Sequence, residues 1–76
     1  MAEHPDDIAV DRFVAAMKAK LAKKRDEGYS GWEDPEQCTM LRLLRLLENH
    51  IHKGDPVDVS NIAMMIHQRA MMGLVE

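Results

Sequence analysis

The chain has 76 residues and a formal net charge of −3. That length limits it to one small domain, and the acidic balance excludes a general nucleic-acid binder, which needs a basic surplus to displace counterions. Cys38 is the only cysteine, which excludes an intrachain disulfide and any CxxC or Cys/His zinc set. Domains this small are usually held together by disulfides, a metal or association. With the first two excluded, residues 1–76 are expected to form a single helical domain that associates with further copies of itself. No apolar run approaches the ~20 residues of a membrane span. The start, Met1 to Asp7, is acidic and lacks the basic-then-apolar pattern of a secretory signal. A cytoplasmic protein with a reduced cysteine is expected.

Helix one is predicted from Pro5 or Asp6 to Asp26. Val10, Phe13, Val14, Met17 and Leu21 form one narrow apolar stripe at helical spacing. Asp6, Asp7 and Asp11 lie early and Lys23, Lys24 and Arg25 late, as the helix dipole favours. Gly28 stops the helix. The loop Gly28-Tyr29-Ser30-Gly31-Trp32-Glu33 holds the only Tyr and Trp. Asp34-Pro35-Glu36-Gln37 then reads as an N-cap, a proline at the first helical position and a glutamine three residues after the cap. Helix two is therefore predicted from Pro35 to Lys53. Met40, Leu43, Leu44, Leu46, Leu47 and Ile51 cover a wide arc of it; Arg42, Arg45, Asn49, His52 and Lys53 share the opposite arc.

Gly54 suits a left-handed C-cap, and Asp55-Pro56-Val57-Asp58 repeats the Asp-Pro start. The short connection predicts an antiparallel hairpin of helices two and three, with helix one packed across it: an all-α fold. Helix three is apolar nearly all round. Val59, Ile62, Ala63, Ile66 and Ala70 make one stripe, and Met64, Met71, Val57 and Val75 a second. Met65 and Met72 begin a third. Asp58, Asn61, Gln68 and Arg69 form the polar strip that remains. Methionine packs adaptably and is frequent at promiscuous surfaces. Met64, Met65, Met71 and Met72 are thus the expected oligomer or partner interface.

Four groups of residues bear on chemistry. Lys18, Lys20, Lys23, Lys24 and Arg25 lie near Tyr29 and Trp32. Cations bind phosphates and aromatic rings stack on bases, so Lys20, Lys24, Arg25, Tyr29 and Trp32 are the candidate ligand site. The bland alternative is a solvated lysine face with Trp32 as an apolar anchor before Asp34. Glu48, Asp55, Asp58 and Asn61 could suggest magnesium, but Asp55 reads better as an N-cap and Asp58 as its capping-box partner. His4, His50, His52 and His67 fit no zinc spacing; the one pairing open to them is His67 with His50 across the hairpin. Cys38 has no assisting base nearby and reads as structural. No cofactor, metal site or catalytic residue is expected, and the chain is not expected to be an enzyme.

Two segments, Gly31-Trp32-Glu33-Asp34-Pro35-Glu36-Gln37-Cys38 and Lys53-Gly54-Asp55-Pro56-Val57-Asp58-Val59-Ser60-Asn61-Ile62-Ala63-Met64-Met65, resemble a group of short proteins and terminal domains encoded in tailed bacteriophages and prophages. In that group a lysine-rich helix leads to Gly-Gly-Trp-(Asp/Glu)-Asp-Pro-x-x-Cys and then to a Lys-Gly-Asp-Pro-Val-Asp-Val-x-Asn-x-Ala-Met-Met hairpin. The similarity runs from about Val10 to about Arg69 and departs at Tyr29-Ser30-Gly31, where the group often has Arg-Gly-Gly. The resemblance implies a phage accessory protein in the cytoplasm of the bacterial host. Such proteins often inhibit host defence. The expected function is therefore a homo-oligomer that sequesters a small nucleotide signal. The first alternative is an inhibitor that binds a host protein through the Met-rich helix three. A second is a divergent all-α nucleoside triphosphate pyrophosphatase, since Asp58-Val59-x-Asn61-x-Ala63-Met64-Met65 is similar to one helix of those enzymes.

Overall fold

A computed structural model describes residues 3–73 of the chain; Val75, assigned above to the second stripe of helix three, lies outside them. The described residues form three helices and no strand: α1 (Pro5–Asp26), α2 (Met40–Lys53) and α3 (Pro56–Met71).

Each helix starts on a side-chain acceptor that satisfies a backbone N–H left over at the helix end. His4 Nδ1 accepts from Asp6 N–H at 3.0 Å, Thr39 Oγ1 from Arg42 N–H at 3.1 Å, and Asp55 Oδ1 from Val57 N–H at 3.0 Å. Pro5 and Pro56 occupy first-turn positions, where a missing N–H costs nothing. Gly54 closes α2 at φ 78°, the left-handed conformation that an L side chain resists.

The predicted start of helix two is corrected. Residues 35–37 form an isolated turn, and α2 begins at Met40. Asp34 does act as a cap, but of that turn: its Oδ1 accepts from Glu36 N–H and its backbone carbonyl from Cys38 N–H, both at 2.9 Å. Thr39 then leaves the helical conformation, with ψ 157°. In an unbroken helix Arg42 N–H would bond to the Cys38 carbonyl. Here it bonds to the Thr39 hydroxyl, and the Cys38 carbonyl is released to accept from Arg69.

Arg69 is the second correction. It belongs to no open polar strip; its relative exposure is 0%. Nη1 donates to the Trp32 carbonyl at 2.9 Å and to the Cys38 carbonyl at 2.6 Å. A loop without a backbone ladder must find partners for its buried carbonyls elsewhere, and the guanidinium of α3 supplies them. Asn61, placed on the same strip, is also buried, at 4%.

Both α1 and α2 pack on α3 and not on each other. This explains why α3 is apolar nearly all round: two helices cover it within one chain. Asn61 Nδ2 donates to the Met17 carbonyl at 3.3 Å, and Lys20 Nζ lies 3.4 Å from Asp55 Oδ2 and 3.3 Å from Asp58 Oδ1. Rising residue numbers on α1 thus meet falling ones on α3, so the two run antiparallel. The 16-residue α3 is about 24 Å long. The segment between α1 and α2 has to travel that length, and Arg69 holds it near the far end.

The buried hydrophobic core is small: Cys38, Leu43 and Ile62. The stripe of α1 is half-buried only at Val14, Met17 and Leu21; Val10 and Phe13 are exposed. On α2, Leu41, Leu44 and Ile51 stay open to solvent.

Candidate functional site

Because α1 and α2 stand apart, a groove runs between them with α3 as its floor. The groove is a cleft of about 620 Å³, within the ~300–1,000 Å³ of small-molecule sites. Lys20, Leu21 and Lys24 line it from α1, Arg42, Leu46, His50 and Lys53 from α2, and Asp58, Asn61, Ile62 and Met65 from α3. Tyr29, Ser30, Trp32, Gln37 and Cys38 line it from the connecting segment. Positions 42, 46, 50 and 53 fall on one face of a helix by their spacing.

Four of the five candidate ligand residues, Lys20, Lys24, Tyr29 and Trp32, meet in this cleft; Arg25 is exposed and does not line it. Their charges differ in availability. Lys20 is engaged by two carboxylates, Asp55 and Asp58. The Asp58 carboxylate therefore faces Lys20. Lys24 Nζ sits 3.5 Å from Glu27 Oε1 and 5.1 Å from the centroid of the Tyr29 ring, a cation–π contact that orients the ring. Sequence reasoning missed Arg42 and Lys53, because their arc of α2 reads as an ordinary solvated face. Both are exposed, and neither has an ion-pair partner among the described residues. The signal was their spacing with Leu46 and His50 on a single face.

His50 Nδ1 lies 2.8 Å from the Leu46 carbonyl. Only a protonated nitrogen can bond to that acceptor, so in the neutral ring Nε2 is the acceptor. His67 is exposed, and no group of three or more His, Cys, Asp or Glu side chains among the described residues could hold a metal ion. Gly31, at φ 92°, is buried, and a Cβ there would stand 2.5 Å from Gln37 Oε1. The loop thus folds tightly against its own turn beside Trp32.

The Met-rich interface residues are divided by the fold. Met64 and Met65 are half-buried, Met65 along the cleft, whereas Met71 and Met72 are 70% and 50% exposed.

The Lys20 clamp joins α1 to the start of α3 and predicts a pH window. The Lys20 ammonium is held above its usual 10.5 by hydrogen bonds to Asp58 and then to Asp55. Asp55 is held below its usual 3.8, first by the Val57 N–H and with help from Lys20. The Lys20 contribution to stability is therefore full below pH 10.5 and lost as pH rises through the raised value. The Asp55 contribution is present above pH 3.8 and lost as pH falls through the lowered value. In melting curves across pH, Lys20→Met should flatten the alkaline limb and Asp55→Asn the acid limb. Identical limbs in all three proteins would refute the clamp.

No family model, curated protein or solved structure matches the chain. No described helix is long and apolar enough to cross a membrane.

Proposed function

We propose that this protein binds a small nucleotide in the α1–α2 cleft and does not transform it. One observation carries the reading: the cleft is lined by Arg42 and Lys53, which have no ion-pair partner among the described residues, and by the aromatic residues Tyr29 and Trp32. Phosphate recognition needs cations and base recognition favours aromatic faces. In the setting that the phage resemblance suggests, such a protein is a counter-defence factor that sequesters a nucleotide signal as a homo-oligomer. The small buried core, Cys38, Leu43 and Ile62, supports association, since domains this small usually need a further source of stability.

The test is a melting assay with nucleoside monophosphates, with inorganic phosphate as control, and with product analysis of each mixture. At a hundredfold excess over Kd a ligand stabilises by about 2.7 kcal/mol, or roughly 10–20 °C for a domain this small. That gain with the nucleotide intact is the expected result. No shift with any nucleotide, or turnover of one, would refute the reading. Light scattering at several protein concentrations should show a dimer or larger species, and a monomer throughout would remove the oligomer from it.

The exposure of Met71 and Met72 favours one second reading, capture of a host protein by the end of α3. Then Met71→Glu or Met72→Glu should abolish the complex while leaving nucleotide melting shifts untouched.

A further inference from the structure

The apolar arc of α2 is wider than the helix that covers it. Among the described helices only α3 packs on α2, and it buries Leu43. Leu41, Leu44 and Ile51 stay 56%, 44% and 55% exposed. Together with Glu48, also exposed, they are spaced three, four and three residues apart. At about 100° per residue that spacing lines them along one seam, the pattern by which helices pair. The cleft residues Arg42, Leu46, His50 and Lys53 lie on the other side of the helix, roughly 180° away by the same geometry. The seam therefore faces away from the candidate nucleotide site. It carries two charges: Glu48 within it and Arg45 at its edge, next to Leu44. Both are exposed, and neither has an ion-pair partner among the described residues.

The order of these residues decides what covers the seam. A two-fold interface sets one patch against its own reversed copy, so the patch has to match itself read backwards. This one does: Leu41 and Ile51 are equidistant from position 46, and so are Leu44 and Glu48. We propose that α2 pairs antiparallel with α2 of a second copy, about a two-fold axis at that level. Leu41 then meets Ile51 of the second copy at each end of the contact. Leu44 meets Glu48 of the second copy, and Arg45 stands beside that carboxylate, offset by one residue or about 1.5 Å along the helix. By symmetry the charge pair forms twice. Half-buried Leu47 borders the axis and meets its own copy. A parallel pair would set Glu48 against Glu48 and Arg45 against Arg45, so the charges specify the antiparallel arrangement. The inference rests on the homo-oligomer reading above and adds what that reading lacks, the surface that joins the copies. It places that surface on α2 and not on the methionines of α3, and it leaves both clefts open to ligand.

Sedimentation equilibrium of the full chain at several concentrations reads the dimer constant for the wild type, Arg45→Glu, Glu48→Arg and the double swap. The wild type should dimerise as its concentration rises. Each single reversal sets like charges together at two symmetric places and should weaken the dimer by about tenfold or more. The double swap restores opposite charges, so its dimer constant should return to within about threefold of wild type. Both positions are exposed, so the helical spectrum should not change, and recovery in the double swap shows by itself that the single variants had not unfolded. Leu44→Glu should abolish the dimer, whereas Met71→Glu should leave it intact. A wild-type dimer that the α2 variants leave unchanged would overturn the α2 seam while leaving association through another face. Single reversals that weaken the dimer without recovery in the double swap would overturn the pairing of Arg45 with Glu48. A wild type monomeric at every concentration would overturn the seam and the oligomer together.

Discussion

Arg69→Met should cost about 3–5 kcal/mol and lower the melting temperature by roughly 15 °C or more. Two hydrogen bonds from a charged donor are lost, each contributing about 1.5–3 kcal/mol, and the Trp32 and Cys38 carbonyls lose the partner that Arg69 gives them. Methionine approximates the volume, so the effect isolates the guanidinium more than the packing. A chain of 76 residues has a total stability of roughly 4–11 kcal/mol, which makes this loss a large part of the whole. Arg69→Lys should recover part of it, because Nη1 alone serves both carbonyls and an ammonium also carries several donors on one nitrogen, on a shorter side chain. Chemical denaturation of the three proteins measures the order. A methionine variant within about 0.5 kcal/mol of wild type, the range of an ordinary surface change, would show that Arg69 does not hold the loop.

The same residue shows where sequence reading stops. Where the signals are local the helix ends were legible: Asp55-Pro56 at the start of α3 and Gly54 at the close of α2. The all-α hairpin follows from those signals and from apolar spacing. Arg69 and Asn61 were read as solvated because a polar side chain on a helix usually is. Their burial depends on the Trp32 and Cys38 carbonyls, 37 and 31 residues away along the chain, and on the Met17 carbonyl, 44 residues away. The late start of α2 has the same origin. Asp34-Pro35 is a sound helix opening, but Thr39 offers a competing cap, and Arg69 takes the carbonyl that a continuous helix would have used. The apolar girth of α3 pointed to a covering surface; α1 and α2 provide part of that cover within one chain. In the candidate site, Lys24, Tyr29 and Trp32 were legible as a local cluster. Arg42 and Lys53 were not, since nothing local indicates that α2 stands across a groove from α1.

That groove joins stability to binding in a way that can be separated by mutation. The loop that lines it is anchored by Arg69 and the α1 wall by Lys20, so variants at either position act first on the stability of the fold. Arg42 and Lys53 are exposed on the opposite wall, so Arg42→Glu with Lys53→Glu should leave the melting temperature nearly unchanged, as surface changes usually stay within about 0.5 kcal/mol. Nucleotide affinity should fall by about 100-fold or more. A charge-assisted hydrogen bond contributes about 1.5–3 kcal/mol, each 1.4 kcal/mol is about tenfold, and the reversed charges also repel phosphate. Arg25→Glu, which makes the same kind of change on the same helix as Lys20 and Lys24 but outside the cleft, should leave affinity within about twofold. Lys20→Met should do the reverse of the α2 pair, weakening the fold while costing little binding, because its charge is already met by Asp55 and Asp58. Titration calorimetry beside thermal melting reads both quantities for each variant. If Arg25→Glu weakened binding as much as the double variant, the ligand would be responding to the net charge of the chain and not to the α2 wall.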